Sequence, residues 1–504
     1  MHTGFRVVVA SVIIVAASLV IRVDATPSSL ASEIQLQLGD ILFSEGRYVD
    51  ALDAYRNALK VASSDAVRRP RVGIIASALR LAEFDLAVRE AEALYRADPT
   101  GPESLALYGD SLWASGLFQE AEDKYHDALA AEPDAARGHH GMARVLAARS
   151  RLDEAMNEAQ TALRLSPLDL EIHHTVGTIF ERMHKYEEAA GAYSNYVNLL
   201  PNKDRSDQAD WSRAEIRFLR SFGNRVPFDT APGTDDRLHT VGFRLVNDKI
   251  IVRVKVNGAS EQDFIIDTGA ESTVVTRPTA QRLGITPITY TLSAGVGGVG
   301  LRGLQLARID TLELGSLKLR NVPCLIKNPP LLDLPAKETE GLSPLALGYS
   351  MIIDYQARRL TLGKRLPDEP KDIELPLYVY RLATVSGVVD GSHKTNFVVD
   401  TGGQVISISQ ATATSLGKPD TDRRIALKVY GTSGWDHDAF LMPGVNLSFD
   451  TIQYTNVPVV VLNLNAPSAL LGFKLGGIVG YKFLSRYRVA FDLERSVLRL
   501  RHVS

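Results

Sequence analysis

Two stretches decide how this chain is read: "NGASEQDFIIDTGAESTVVT" (257–276) and "DGSHKTNFVVDTGGQVISIS" (390–409). In each, a turn glycine (Gly258 or Gly391) lies nine residues before an aspartate (Asp267 or Asp400), with Phe264 or Phe397 three residues upstream of it. Farther out, Asn321-Val322-Pro323 lies 54 residues after the first aspartate and Asn456-Val457-Pro458 lies 56 after the second. Each half closes with an aspartate and leucines six and eight later: Asp354, Leu360, Leu362 and Asp492, Leu498, Leu500. These markers in one order describe a duplicated β unit. The texture agrees, since "KIIVRVKVNG" (249–258) alternates in and out and ends on an Asn257-Gly258 hairpin signal. One Asp-Thr-Gly after an apolar strand carries little. Two of them, one in each copy, form a specific pattern.

On these motifs the region from about 240 to 502 resembles the aspartic proteases, and in its short lobes the retropepsin-like aspartyl proteases, with both lobes on one chain. The resemblance implies an all-β bilobal, acid-protease-like double barrel, with lobe one at 239–366 and lobe two at 367–504. It implies Asp267 and Asp400 as the catalytic pair, Thr268 and Thr401 as hydroxyl braces between the two loops, and Gly269 and Gly402 as points where backbone approaches the carboxylates without a Cβ. Ile478-Val479-Gly480 is similar to the family's loop supporting the aspartate strand. "AGVGGVGLRG" (294–303), with Gly295, Gly297 and Gly298, falls where a flap would lie, either as a mobile hairpin or as a flexible connection. A phosphate-cradling loop lacks support, because no Lys-Ser/Thr and no strand–loop–helix context follow it. The lobe-two counterpart is "VYGTSGWDHDAF" (429–440), whose Trp435 is expected to cover a substrate side chain. The chain departs from the family in three places. "GLSPLALG" (341–348) has no glycine at the spacing of Gly480, Gly403 stands where the family more often has Ala, Ser or Thr, and the two motifs are only 133 residues apart.

The chemistry of such a pair is general. Amide hydrolysis without a nucleophilic side chain needs a base for water and an acid for the carbonyl oxygen. Two carboxylates a few ångströms apart cannot both ionise, so they share a proton, supply both roles and predict activity on the acid side of neutral. An extended polypeptide substrate would pair with strand edges. This reading requires neither cofactor nor metal.

Residues 32–202 repeat differently. Pro99, Pro133, Pro167 and Pro201 are spaced by 34, as are Ala87, Ala121, Ala155 and Ala189. Gly39, Tyr55 and Ala58 in a divergent first copy, Gly109, Tyr125 and Ala128 in the third, and Gly177 and Tyr193 in the fifth share internal offsets. This is similar to five tetratricopeptide repeats, an all-α solenoid in which small residues let helices approach, Tyr fills the gap and Pro ends each unit. Such an array implies a protein or peptide partner on its concave surface. His139-His140 and His173-His174 recur 34 apart; they are read as polar residues on groove faces, with a metal site as the alternative. Residues 203–238 read as a capping helix followed by a linker rich in Pro and Gly.

At the start, Arg6 precedes an apolar run from Val7 to Ile21, with Val23-Asp24-Ala25 beyond it. That run is short for a membrane span, so 1–25 is expected to be a signal peptide for secretion or a periplasm; a retained membrane anchor is the alternative. Lys+Arg is 56 against Asp+Glu 59, so no basic field favours nucleic acid. One cysteine, Cys324, makes neither an intrachain disulfide nor a thiolate metal cluster. The functional expectation is an exported aspartic endopeptidase whose repeats recruit substrate or a partner. The alternative is a catalytically inactive protease-fold scaffold acting through its repeats.

Overall fold

The computed structural model describes residues 27–296, 301–327, 339–417, 425–431 and 434–503; the expected signal peptide, Gly297 and Gly298 lie outside them. Ten helices pair as five antiparallel hairpins: Pro27–Ser44 with Tyr48–Val61, Arg68–Arg80 with Phe84–Ala97, Pro102–Ala114 with Phe118–Ala131, Ala136–Ala148 with Leu152–Leu165, and Leu170–Arg182 with Tyr186–Leu199. Their close approach has a steric cause. A Cβ on Gly39, Gly73, Gly109 or Gly177 would come within 2.5–2.6 Å of a tyrosine ring, and one on Gly141 would overlap Tyr125 outright. Tyr125 is fully buried, and its hydroxyl donates to Asp110 at 2.8 Å. An eleventh helix, Asp207–Arg220, starts at Ser206, whose side chain accepts from the Ala209 N–H. It packs on the fifth pair through Phe218, Leu219 and Phe222.

The array also meets itself. The Asn202 side-chain amide donates to the Glu45 carbonyl, and Arg80 of the second pair bonds Glu171 of the fifth. First and last repeats are therefore in contact across the groove.

The β region contains two barrels. The lobe-one barrel consists of β1 (Lys249–Val256), β2 (Gln262–Ile266), β3 (Thr273–Thr276), β4 (Leu301–Leu314), β5 (Leu317–Lys327) and β6 (Glu340–Leu342). They run in the order β1-β2-β6-β3-β5-β4, and β4 closes back on β1. Lobe two repeats this with β7 (Leu382–Val389), β8 (His393–Val399), β9 (Ile406–Ser409), β10 (Phe440–Phe449), β11 (Ile452–Leu462) and β12 (Gly477–Val479), and closes through a β7–β10 pairing. The turns before β2 and β8 use left-handed backbone at Asn257-Gly258 (φ 51° and 72°) and Asp390-Gly391 (φ 47° and 76°), closed by the Ala259 N–H on the Val256 carbonyl at 3.0 Å and the Ser392 N–H on the Val389 carbonyl at 3.3 Å. Phe264 and Phe397 are fully buried in the barrel core.

A third sheet holds the lobes together. Ser350–Asp354 of lobe one pairs with Tyr487–Asp492 of lobe two in a six-stranded sheet drawn from both halves. The closing aspartates sit at its turns: Asp354 accepts from the Ala357 N–H at 2.8 Å, and Asp492, fully buried, accepts from the Arg495 N–H at 3.0 Å.

The array is welded to both lobes. Trp113 and Phe118 share one core with Tyr378, Leu464, Leu471 and Phe473, and the Phe118 and Phe473 rings lie 5.1 Å apart. Arg149 donates to the Tyr378 hydroxyl at 2.8 Å, and the Lys474 N–H donates to the Ala114 carbonyl at 2.8 Å. On the lobe-one side, Trp211 Nε1 donates to Thr291 Oγ1 at 2.7 Å. The overall architecture is thus an all-α repeat array followed by an all-β double barrel.

Candidate active site

Each aspartate emerges from the end of a strand whose neighbour runs parallel to it. Asp267 follows β2, and its N–H donates to the Leu342 carbonyl at the end of β6, at 2.9 Å. Asp400 follows β8, and its N–H donates to the Val479 carbonyl at the end of β12, at 3.0 Å. Register places Gly341-Leu342-Ser343 opposite Ile478-Val479-Gly480. Lobe one therefore carries buried Ser343 at the glycine position, yet the carbonyl that holds Asp267 is kept. In lobe two the glycine is required, because a Cβ on Gly480 would lie 2.5 Å from the Gly403 carbonyl oxygen.

The two loops lock reciprocally. The Thr268 N–H donates to Thr401 Oγ1 at 3.1 Å, and the Thr401 N–H donates to Thr268 Oγ1 at 3.0 Å. The hydroxyls then donate outward, Thr401 to the Ile266 carbonyl at 2.7 Å and Thr268 to the Val399 carbonyl. Both threonines are buried, so this exchange satisfies backbone N–H and C=O groups of both loops that have no water.

The lock brings the carboxyls face to face. Gly269 N–H donates to Asp267 Oδ1 at 2.9 Å and Gly402 N–H to Asp400 Oδ1 at 2.7 Å. A Cβ on Gly269 would lie 2.7 Å from Asp400 Cγ, and one on Gly402 the same distance from Asp267 Cγ. Only glycine leaves room for this crossing. Burial pushes the Asp267 carboxyl above its ordinary value, opposed by a hydrogen bond from its partner and by the Gly269 N–H. Burial, then the charge of Asp267, pushes Asp400 up as well. The pair therefore holds one proton at pH values where isolated aspartates would have lost it.

Pro287–Ala294 pairs with β4 in a hairpin, and Gly295 and Val296, which follow its first strand, line the cleft. There it meets the second hairpin, Val429–Gly431 with Gly434–Asp436, for a Cβ on Gly431 would overlap the Val296 carbonyl. Trp435 stands edge-on to Tyr430 at 5.2 Å, and among the described residues Tyr430 lines the cavity whereas Trp435 does not.

The cavity containing both aspartates, about 1600 Å³, continues upward onto the array. Its far wall includes Arg144, Glu171, His174, Thr178 and Glu215. Between wall and dyad, Arg381 pairs with Glu271 at 2.6 Å. These wall residues were not singled out by the motif reading, apart from the histidines; their 34-residue periodicity places them on inner helices but does not say what those helices face. His140 bonds Thr175 Oγ1 at 2.8 Å, His139 bonds Glu158 at 2.6 Å, and His174 packs on Tyr193 and Tyr196. Among the described residues no three His, Cys, Asp or Glu side chains converge on a common point. Cys324 is fully buried, and burial raises its thiol.

Fold and site together define a bilobal protease fold joined to a helical repeat array. Comparison with known families agrees: residues 252–351 and 385–483 each match the aspartyl protease family, and residues 75–125 and 108–169 match tetratricopeptide repeats. The chain carries a duplicated aspartyl protease family domain behind a tetratricopeptide array. No curated protein matches it. Among solved structures it is similar to a thermophilic tetratricopeptide protein of Thermus thermophilus, at 21% identity over 37% of this chain and 99% of that one, with a TM-score of 0.32. It is also similar to PilF of Pseudomonas aeruginosa, at 16% identity over 39% and 95% with a TM-score of 0.28, and to the MamA protein, at 16% over 35% and 96% with a TM-score of 0.24.

Proposed function

We propose that this protein is an exported aspartic endopeptidase that activates water on Asp267 and Asp400. The observation that carries the reading is the pair of crossed, half-buried carboxyls, each bonded by the N–H of its own glycine and each raised by burial. With one proton between them, the ionised carboxyl takes a proton from water as the oxygen attacks the amide carbon, and the protonated one gives its proton to the carbonyl oxygen. Collapse of the tetrahedral intermediate breaks the C–N bond: the leaving nitrogen takes a proton from one carboxyl, and a hydroxyl of the intermediate returns a proton to the other as the carbonyl re-forms, so that the pair again holds one proton. Export through residues 1–25 is part of the proposal; the mature N-terminus, read by sequencing from the native host, would start near residue 26.

The test is peptide hydrolysis across pH 3–7 by wild type, Asp267→Asn and Asp400→Asn, with a statine-type inhibitor. Cleavage by wild type alone, blocked by the statine, is the expected result. A single variant that cleaves as fast as the parent refutes the pair. The inactive-scaffold reading draws on Ser343 standing where lobe two has Gly480; it predicts statine-peptide binding with no turnover at any pH.

A further inference from the structure

The inner face of a repeat array is ordinarily a free trough, but here it is built into the protease. The cavity that starts at Asp267 and Asp400 runs past the Glu271–Arg381 pair without a break. It ends on Ala136–Ala148 through Arg144, on Leu170–Arg182 through His174 and Thr178, and on Asp207–Arg220 through Glu215. The contact between Asn202 and Glu45, and the Arg80–Glu171 pair, join the ends of the array around this space. Val296 and Gly431, one from each hairpin, meet in the lining of this cavity. Anchors to lobe one at Thr291 and to lobe two at Tyr378 hold the wall in place.

Resting on the peptidase reading above, we propose that the inner helices of the array are one wall of the substrate site itself, so that the substrate is an unfolded polypeptide segment or free peptide held between dyad and repeats. At about 1600 Å³ the chamber exceeds the ~300–1,000 Å³ usual for small-molecule pockets. A folded domain of ~100 residues, with a radius of gyration of about 13 Å, is far larger than this chamber. An extended chain, rising ~3.3 Å per residue, can reach the aspartates. The array therefore selects substrate by conformation at the site of cleavage and is not a remote recruiting module.

The experiment uses the full chain and decapeptides with a central statine and one benzophenone side chain moved along the sequence. After irradiation, adducts are mapped by mass spectrometry, with an unlabelled statine peptide as competitor. For at least one placement, competed adducts are expected within 136–148 or 170–182. Adducts confined to 239–503 at every placement overturn the wall while leaving the peptide site standing; no competed adduct anywhere overturns the peptide site and the wall with it. As a second readout, a cleavable decapeptide displayed as a loop of a folded domain is expected to lose at least 100-fold in kcat/KM relative to the free peptide and to regain it when the carrier is unfolded. Equal cleavage of the folded and unfolded carriers refutes selection by conformation.

Discussion

Replacing Thr401 by Val removes a hydroxyl that performs two tasks at once in a buried place. The Thr268 N–H loses its acceptor, and the Ile266 carbonyl loses its donor. Valine keeps the shape, so little packing is lost, and water has no ready access to either orphan. Each unsatisfied buried group costs about 1–3 kcal/mol, so the pair costs roughly 2–6 kcal/mol. Thr268→Val leaves a matching pair, the Thr401 N–H and the Val399 carbonyl. The two variants should therefore resemble each other although they lie in different lobes. Hydrogen exchange followed by mass spectrometry reads this locally, in peptides covering 262–276 and 395–409, and does not depend on two-state unfolding of a multidomain chain. At tenfold per 1.4 kcal/mol, the lower end of the range corresponds to roughly 30-fold faster exchange in both peptides. Thr→Ser at either position retains the hydroxyl and should stay near wild type. If Val and Ser variants exchange alike, or if only the substituted lobe responds, the reciprocal lock is not what holds the two loops.

The pH response of stability follows from the raised carboxyls. With native values above the ordinary 3.8, the folded state holds protons that the unfolded chain releases, so the stabilisation present below about pH 3.8 is lost as pH rises through the native values. Asp400→Asn should flatten that loss, seen as a smaller fall in denaturant midpoint between pH 4 and 7 than in wild type; an unchanged slope refutes the assignment. Gly141→Ala drives a methyl into the Tyr125 ring and should destabilise by about 1–3 kcal/mol, checked as a lower Tm of the array against Gly191→Ala, where a Cβ meets nothing. Removing residues 27–203 uncovers Tyr378, Leu464, Leu471 and Phe473. The remaining lobes should bind a hydrophobic dye and self-associate, and a soluble, monomeric, dye-silent fragment would contradict the shared core.

The pairing of Asp267 with Asp400 was legible because duplication wrote the same chemistry twice, in order, with the same turn glycines and buried phenylalanines. The repeats were legible for a related reason: Gly, Tyr and Pro recur where sterics leave no alternative. Support for Asp267 was harder to read. The bond that holds it comes from the Leu342 carbonyl, a backbone group that any residue supplies, so the missing glycine at Ser343 says little about it. The contact of Trp435 with Tyr430 was not legible either, because nothing in the motif gives the register of the two strands that set these rings opposite each other. The chamber wall was not legible at all. Periodicity tells which helix lines the inside of an array, whereas what the inside faces depends on Trp113, Phe118 and Tyr378 finding one another from distant parts of the chain.

The joining of Asn202 to Glu45 has a consequence for how this chain can change over generations. An open solenoid adds or drops a repeat cheaply, because each unit answers only to its neighbours. Here the fifth unit must arrive beside the first while the third and fourth remain seated on lobe two and the final helix on lobe one. A sixth unit would turn the end of the array away from all three appointments at once. The number of repeats is therefore set by the dimensions of the double barrel beneath them, and lineages that keep this arrangement should vary in loop length and surface charge but hold the count at five.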